Sequence, residues 1–191
     1  MLFRSTIELQ MIHHDLKDLM KELMILFEEN DIKYFIHSGT LLGAVRNEGI
    51  IPHDDDIDIA IFENNVEYLL SDEFHKKCEE KNIEFIPFKT NKGIIKARFI
   101  KKRTNNVFID IFIFRIHGEI VEYNSMDSRN TWRNGWFHIY ELFPLKHYSF
   151  EGMKLMGPHD PYPYLIRHYG RNWKIPKKHK KNHQKQIFKK T

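Results

Sequence analysis

The sequence predicts an α+β fold in which helices flank one mixed central sheet. The chain has 191 residues, of which 41% are hydrophobic and 14% aromatic, so it can bury a sizeable core. Segments with a three- to four-residue apolar repeat alternate with short segments rich in β-branched residues, which indicates mixed helices and strands. Because no long linker divides these segments, we expect one domain over residues 1–176 and a basic tail over residues 177–191.

The predicted elements follow the hydrophobic period along the chain. Apolar residues three and four positions apart indicate helices, and runs of Ile, Phe and Val indicate strands. Asn30-Asp31 separates the first helix from the first strand, Gly118 makes a late hairpin, and Gly170 ends the last helix. In chain order we predict a helix over 5–29, a strand over 34–36, a turn at 38–40 into a helix over 41–46, a strand over 57–62, a helix over 65–81, strands over 83–88, 94–100, 107–116 and 120–123, and a helix over 164–169.

Composition excludes several classes of protein. The single cysteine, Cys78, excludes a disulfide framework and a Cys-based zinc site. The longest strongly apolar stretch, residues 107–116, carries Asp110 and Arg115 and is shorter than the roughly 18 residues of a membrane-spanning helix. The first residues lack the apolar core of a signal peptide. We therefore expect no transmembrane segment and a location in the cytoplasm, either free or peripheral at a membrane face.

Charge is distributed unevenly along the chain. The net charge is +4, from 30 basic and 26 acidic residues. Residues 161–191 hold ten of the basic residues and no acid, so residues 1–160 carry a net charge of −6. Such a tail can contact an anionic membrane surface or nucleic acid. The alternative is a solvated chain terminus, because Phe188 is the only aromatic residue among the tail lysines.

Residues 53–61, His-Asp-Asp-Asp-Ile-Asp-Ile-Ala-Ile, are the most informative stretch. Side chains alternate across a strand, so we expect Asp56 and Asp58 on one face and the isoleucines on the other. Two carboxylates on one face of a core strand repel each other and lose hydration. A divalent cation relieves that repulsion, and carboxylate oxygens favour Mg²⁺ or Mn²⁺. The pattern therefore predicts that Asp56 and Asp58 bind a metal ion.

Parts of this stretch also fit an acidic cap or a calcium-binding loop. An acidic turn that caps the strand accounts for Asp54 and Asp55 equally well. A calcium EF-hand loop has acids at alternate positions too, but it requires Gly where this chain has Ile59 and Glu where it has Asn65. The EF-hand interpretation therefore fails at two positions.

A third carboxylate, Asp110, lies within the apolar run Phe-Ile-Asp-Ile-Phe of residues 108–112. An acid in so apolar a strand needs a partner. If this strand lies beside residues 57–62, Asp110 completes a three-carboxylate site able to hold two Mg²⁺ ions and clamp a phosphate. The alternative is that Asp110 pairs with Arg98 or Arg115.

Ser38-Gly39-Thr40 offers small side chains and backbone N–H groups at the start of a helix, which is a favourable place for an anion. The sequence contains neither a Walker lysine motif nor Gly-x-Gly-x-x-Gly, so it supports neither a P-loop nor a Rossmann site.

The histidines allow several interpretations. His37 could reach this anion site or could be a core histidine. His13 and His14 are most simply a solvated pair, and His179 and His183 lie among repelling lysines.

These motifs together resemble the LicD/fukutin family of the nucleotidyltransferase superfamily. The resemblance depends on residues 38–46, Ser-Gly-Thr-Leu-Leu-Gly-Ala-Val-Arg, and 51–59, Ile-Pro-His-Asp-Asp-Asp-Ile-Asp-Ile. It continues through residues 108–112 and is weaker at 142–145 and 169–176. It implies a nucleotidyltransferase-like sheet over roughly residues 30–176 and leaves the basic tail uncovered.

The resemblance also implies roles for the acidic residues. Asp56 and Asp58 would bind the metal ion, Mg²⁺ or Mn²⁺, and would take part in catalysis. Asp110 would be a third ligand or the general base that deprotonates the acceptor hydroxyl.

By the same resemblance, Ser38, Gly39 and Thr40 would contact the phosphates of the nucleotide, and Arg46 would neutralise one of them. The family usually has Trp where this chain has His53. A histidine there could act in binding or proton transfer, or it could be a surface substitution.

The function implied by the resemblance is transfer of a phospho-alcohol, such as phosphocholine or ribitol phosphate, from a CDP-alcohol to a glycan or related hydroxyl acceptor. One alternative is a nucleotidyltransferase that moves NMP to a protein, RNA or small molecule. Another is an inactive binding module of the same fold, which the retained carboxylates argue against because their burial would then be an unrelieved cost.

Overall fold

A mixed sheet forms the centre of the molecule. The computed structural model describes residues 6–90, 93–101 and 107–176. In chain order the elements are α1 (Thr6–Glu29), β1 (Tyr34–Ile36), α2 (Ser38–Asn47), β2 (Ile57–Phe62), a 3₁₀ turn (Glu63–Asn65), α3 (Val66–Leu69), α4 (Asp72–Glu80), β3 (Ile83–Thr90), β4 (Gly93–Lys101), β5 (Phe108–His117), β6 (Ile120–Tyr123), α5 (Met126–Thr131), β7 (Phe137–His138), α6 (Ile139–Leu142), β8 (Lys146–Phe150), β9 (Met153–Gly157) and α7 (Tyr162–Tyr169).

The described part of the sheet has seven strands, and its main path runs β1-β2-β5-β4-β3. Strands β2 and β5 are parallel, whereas β1-β2, β4-β5 and β3-β4 are antiparallel. Strand β5 also pairs with β6, which pairs with the short strand β7. The predicted α+β class with a mixed central sheet is confirmed.

One face of the sheet is apolar and lies under α1. Alternate residues of β2 and β5 are isoleucines that are almost fully buried, namely Ile57, Ile59, Ile61, Ile109, Ile111 and Ile113. The buried leucines of α1 supply the other side of this layer, and the Phe27 ring lies 5.9 Å from that of Phe99 on β4. The opposite face therefore carries every second residue of β2, β4 and β5, including the polar ones.

The opposite face is covered in part by α2 and α7. The ring of Tyr164 on α7 stacks on Phe137 at 4.2 Å, and Phe35 of β1 lies 5.7 Å from Phe137 and 5.3 Å from Phe114. Helices therefore flank both faces, and the open part of the second face is left for polar side chains.

Two predicted elements differ in the structure. The single helix predicted over residues 65–81 is broken, because Ser71 is extended and its hydroxyl accepts a hydrogen bond from the Phe74 N–H at 3.2 Å. This is an N-cap, and it starts α4 as a separate helix. Helix α2 begins at Ser38 rather than at residue 41, so the predicted turn is its first turn.

The sequence predicted no strand over residues 146–157, where the structure has the hairpin β8-β9. Its two turn residues, Glu151 and Gly152, have φ values of 51° and 77°, which is the geometry of a tight hairpin turn. The predicted basic tail, with His179 and His183, lies outside the described residues. Among the helices that the structure describes, none has the length and apolarity needed to span a bilayer.

Candidate active site

The parallel pairing of β2 and β5 places Asp58 directly beside Asp110. Since residues in register on neighbouring strands point to the same face, both carboxylates lie opposite the isoleucine layer. Asp56, just before β2, joins them: one carboxylate oxygen from each of the three residues lies within 4.8 Å of the others. The sequence predicted a strand over residues 107–116 and made the three-carboxylate site conditional on its lying beside 57–62; β5 does lie beside β2, and the three acids converge.

A second acidic group adjoins the first. Asp54, Asp55 and Asp56 also bring one oxygen each within 4.8 Å of one another. Asp56 belongs to both groups, so the two sets form one continuous surface of carboxylate oxygens.

Burial and mutual repulsion disfavour the ionised form of Asp54 and Asp58. Burial raises the pKa of Asp58 well above its usual range, and repulsion from Asp56 and Asp110 adds to the effect. Burial also raises the pKa of Asp54 to about 8, with further repulsion from Asp56 and Asp55. These shifts mark an excess of negative charge that a bound cation would relieve.

The donor set fits a hard divalent cation. Asp56, Asp58 and Asp110 offer oxygen ligands only, which suits Mg²⁺ or Mn²⁺ and not the thiolate- and imidazole-rich sites of zinc. A cluster of acidic residues able to bind a metal ion is therefore present.

Helix α2 starts directly over Asp58. The Gly39 N–H donates to Asp58 Oδ2 at 3.3 Å. A Cβ on Gly39 would lie 2.8 Å from Asp54 Oδ2 and 3.5 Å from Asp58 Oδ2, so a larger residue here would displace the Asp54 carboxylate. The Thr40 hydroxyl accepts a hydrogen bond from the Asp58 N–H at 2.7 Å. Gly39 and Thr40 thus join α2 to the acidic strand.

Ser38 contacts Tyr164 on α7. Its N–H donates to the Tyr164 hydroxyl at 3.2 Å, and its own hydroxyl lies 2.9 Å from His37 Nδ1 and 3.4 Å from Tyr164 Oη. The backbone N–H groups of Ser38 and Gly39, which the sequence offered as an anion site, already donate to Tyr164 Oη and Asp58 Oδ2. Phosphate binding by residues 38–40 stays a prediction.

His37 is a core histidine. It is fully buried, and the rings of Phe112 and Phe114 lie 4.8 and 5.5 Å from its own. Burial lowers the pKa of His37 to about 3, so the ring is neutral at physiological pH. Its Nε2 has no hydrogen-bond partner in the described part of the chain.

Arg46 lies at the other end of α2. It is in the last turn of the helix, and its Nε donates to the Asn47 side chain at 2.9 Å. It is seven positions after Gly39, about 10 Å along the helix axis. The fold does not bring Arg46 to the carboxylates, and its contact with a phosphate stays a prediction.

Asp110 has cationic partners as well as acidic neighbours. It accepts a hydrogen bond from Lys96 Nζ at 2.7 Å on Oδ2, and from Arg98 Nε at 2.7 Å on Oδ1. The alternative pairing with Arg98 is therefore confirmed, whereas Arg115 pairs with Glu122 at 2.8 Å. The ion pair with Arg98 leaves Asp110 within the acidic cluster. Arg98 on β4 and Asp58 on β2 lie on opposite sides of Asp110, each in register with it.

Long-range contacts that the sequence did not predict hold the acidic loop. His13 on α1 donates from Nε2 to the Asp54 carbonyl oxygen at 2.8 Å, so the expectation of a solvated pair was wrong for His13. The Glu151 carboxylate, at the β8-β9 turn, accepts the Ile50 N–H at 3.0 Å. Glu151 also lies 3.5 Å from Lys17 Nζ. No local pattern in the sequence marks these contacts.

Comparison with known families agrees with this geometry. The model of the LicD/FKTN/FKRP nucleotidyltransferase domain matches residues 31–160. An uncharacterised protein of Rickettsia prowazekii is 38% identical over 154 residues, which are 81% of this chain and 53% of that protein. Ribitol-5-phosphate transferase FKTN of Mus musculus is 24% identical over 174 residues, 90% of this chain and 36% of that protein. Lipopolysaccharide cholinephosphotransferase LicD of Haemophilus influenzae is 31% identical over 102 residues, 47% of this chain and 37% of that protein.

The chain spans about half the length, or less, of these curated relatives. Among solved structures, the antibiotic-resistance factor ANT(2'')-Ia superposes with a TM-score of 0.51 at 12% identity, covering 76% of this chain and 66% of that one. At this identity the likeness concerns the fold alone, which is nucleotidyltransferase-like.

Proposed function

Because the chain belongs to the LicD/FKTN/FKRP nucleotidyltransferase-domain family, we propose that it transfers a phospho-alcohol from a CDP-alcohol to a hydroxyl group of a glycan or related acceptor. The observation that carries the proposal is the convergence of Asp56, Asp58 and Asp110 within 4.8 Å. Relatives named for transfer of ribitol phosphate and choline phosphate support the reaction class. Because these relatives are named for different alcohols, the proposal names no particular one.

In the proposed reaction, the acceptor oxygen forms a bond to the phosphorus that carries the alcohol. The bond from this phosphorus to the bridging oxygen of the diphosphate breaks, and CMP leaves. The acceptor loses its proton, and Asp110 is the residue we propose to orient the hydroxyl and receive that proton. Mg²⁺ or Mn²⁺, held by Asp56 and Asp58 with Asp110 as a further ligand, would supply charge stabilisation for the phosphates.

The chain positions these groups before any substrate binds. The Thr40 hydroxyl and the Gly39 N–H fix the backbone and carboxylate of Asp58. The isoleucine layer fixes the register of β2 against β5, so Asp58 and Asp110 stay adjacent. Such preorganisation is what phosphoryl transfer requires, since catalysis there depends mainly on positioning and charge.

The proposal is tested by CMP release. Purified protein is incubated with Mg²⁺ and, in separate reactions, CDP-choline, CDP-ribitol or CDP-glycerol, with a hydroxyl acceptor present. We expect CMP from at least one donor and none after chelation of the metal. Release of pyrophosphate from ATP or CTP instead would indicate an NMP transferase. Absence of both activities, together with absence of a thermal shift on adding Mg²⁺ or Mn²⁺, would indicate an inactive module.

Asp58→Asn is the matched active-site variant. It keeps the size of the side chain and removes one of the repelling charges, so we expect loss of turnover and of the metal-induced thermal shift. Because the pKa of Asp58 is raised in the fold, the metal-free variant should melt at or above the wild-type temperature at pH 7. Asp31→Asn is the control: Asp31 is exposed at a φ of 50°, a conformation that Asn tolerates.

A further inference from the structure

Two cationic side chains reach Asp110 from strand β4. Lys96 and Arg98 are two residues apart and therefore lie on the same face of the sheet as Asp110. Their side chains are only 12% and 23% exposed, and that of Asp110 is 6% exposed. The negative cluster is thus bordered by a positive pair on the side away from β1.

The two cations are held differently. Arg98 donates from Nε to Asp110 Oδ1 at 2.7 Å and from Nη2 to Oδ2 at 3.1 Å. Its guanidinium also lies 3.5 Å from the centre of the Phe108 ring. This two-point contact plus ring stacking fixes the guanidinium in place.

Lys96 makes a simpler contact. Its ammonium donates to Asp110 Oδ2 at 2.7 Å, and the rings of Phe112 and Phe88 lie 5.5 and 5.7 Å away. Lysine is a compact charge on a flexible stem, with three donors and no acceptor. If Lys96 turned away, Asp110 would keep both hydrogen bonds from Arg98.

A bound metal ion would favour such a movement. Lys96 contacts Asp110 Oδ2, and Asp110 is one of three carboxylates that each bring an oxygen within 4.8 Å of the others. A divalent cation held by this cluster would repel the Lys96 ammonium and would compete with it for Asp110 Oδ2. The released ammonium, the metal ion and the Arg98 guanidinium would then present positive charge to an anionic group.

We propose that Lys96 is a phosphate-binding residue that neutralises Asp110 in the resting protein and contacts the diphosphate of the nucleotide donor when the metal site is loaded. This inference rests on the proposed function, since the donor is the one proposed above. Arg98 remains on Asp110 and is a positioning residue.

The test compares Lys96→Met with wild type in two binding measurements. CDP binding to Mg²⁺-loaded protein is measured by calorimetry, and Mn²⁺ binding without nucleotide is measured by electron paramagnetic resonance. We expect the CDP Kd to rise about tenfold to a hundredfold, as for loss of a charge-assisted hydrogen bond. We expect Mn²⁺ to bind at least as tightly as in wild type, because a competing cation has been removed.

Two further variants keep the result interpretable. Lys154→Met, at an exposed position of β9, changes the net charge equally and should leave both affinities unchanged. Lys96→Arg keeps the positive charge and should bind CDP within a few-fold of wild type. If Lys96→Met does not fold, a large loss of CDP affinity in a folded Lys96→Arg protein with wild-type Mn²⁺ affinity would contradict a role for positive charge alone.

The outcomes separate this inference from the proposed function. If wild-type protein with Mg²⁺ binds no CDP, both are wrong. If wild type binds CDP and Lys96→Met binds it equally well, only the role of Lys96 is overturned. Parallel weakening of CDP and Mn²⁺ binding in Lys96→Met would also overturn that role, since Lys96 would then act by shaping the metal site.

Discussion

Replacement of Gly39 by alanine separates the stability of the fold from the function of the site. The new Cβ would lie 2.8 Å from Asp54 Oδ2, and contacts become ordinary only near 3.4 Å. The carboxylate must therefore move by about 0.6 Å. Because this oxygen is the end of a rotatable side chain, it can move without moving the backbone, whereas Asp58 Oδ2 at 3.5 Å keeps an ordinary contact.

The expected free energy change of unfolding for Gly39→Ala is small. Alanine in a helix is favoured over glycine by up to about 1 kcal/mol, and the crowding at Asp54 costs a similar amount. We therefore expect stability within about 1 kcal/mol of wild type. The Asp54 carboxylate adjoins that of Asp56 in the acidic cluster, so its displacement should disturb a proposed metal ligand and lower turnover by about tenfold or more.

The assay pairs urea unfolding, followed by circular dichroism, with CMP release and Mn²⁺ affinity. Gly43→Ala is the control on the same helix. Its Cβ would overlap the carbonyl oxygen of Gly49, which is backbone and cannot rotate away, so this variant should lose at least about 2 kcal/mol of stability. Wild-type turnover and Mn²⁺ affinity in Gly39→Ala, or wild-type stability in Gly43→Ala, would refute this reasoning.

Three further predictions concern stability. Arg167→Met should cost about 3–5 kcal/mol in urea unfolding, because it leaves the buried Glu141 carboxylate without its cationic partner at 2.8 Å; a cost below about 1 kcal/mol would contradict this. Burial lowers the pKa of His37 to about 3, so the stability that the neutral ring contributes is present above its unfolded pKa of about 6.5 and is lost as pH falls from there towards 3. His37→Phe should flatten that loss by up to about 1.4 kcal/mol per pH unit, and an unchanged slope between pH 6 and 4 would show that His37 is not its source. Ser71→Ala should cost about 1 kcal/mol by removing the cap on Phe74 N–H, and Ser71→Asp, which can cap as well, should restore it.

Local patterns predicted the acidic strands because their period is visible in the sequence. The alternation of Asp58 with isoleucines fixes which face each residue occupies, and the same alternation applies to Asp110. The pairing of the two strands could then be proposed from chemistry, since two buried acids need a common partner. The break before α4 could also have been predicted, because Ser71 followed by Asp72 and Glu73 is a helix-start signal.

Other parts of the site depend on contacts that no local pattern records. His13 meets the Asp54 carbonyl across 41 positions, and Glu151 meets the Ile50 N–H across 101. The β8-β9 hairpin that carries Glu151 is mostly exposed on β8 and lacks a clear apolar alternation. Lys96 did leave a signal, since a charge inside the apolar run of β4 is unusual, but its partner could be identified only from the register of β4 against β5.

Packing on the apolar face of the sheet fixes the strand register, and the register decides which side chains lie on the opposite face. A one-residue slip of β2 against β5 would place Asp58 in the isoleucine layer and move isoleucines onto the site. Each buried isoleucine opposes such a slip by roughly 1.5–3 kcal/mol of apolar burial. The same register aligns Asp110 with Arg98 on β4. Acidic and basic groups that would separate in water are therefore kept adjacent by the packing under α1, and the fold supplies in advance the charge arrangement that a metal ion and a diphosphate would complete.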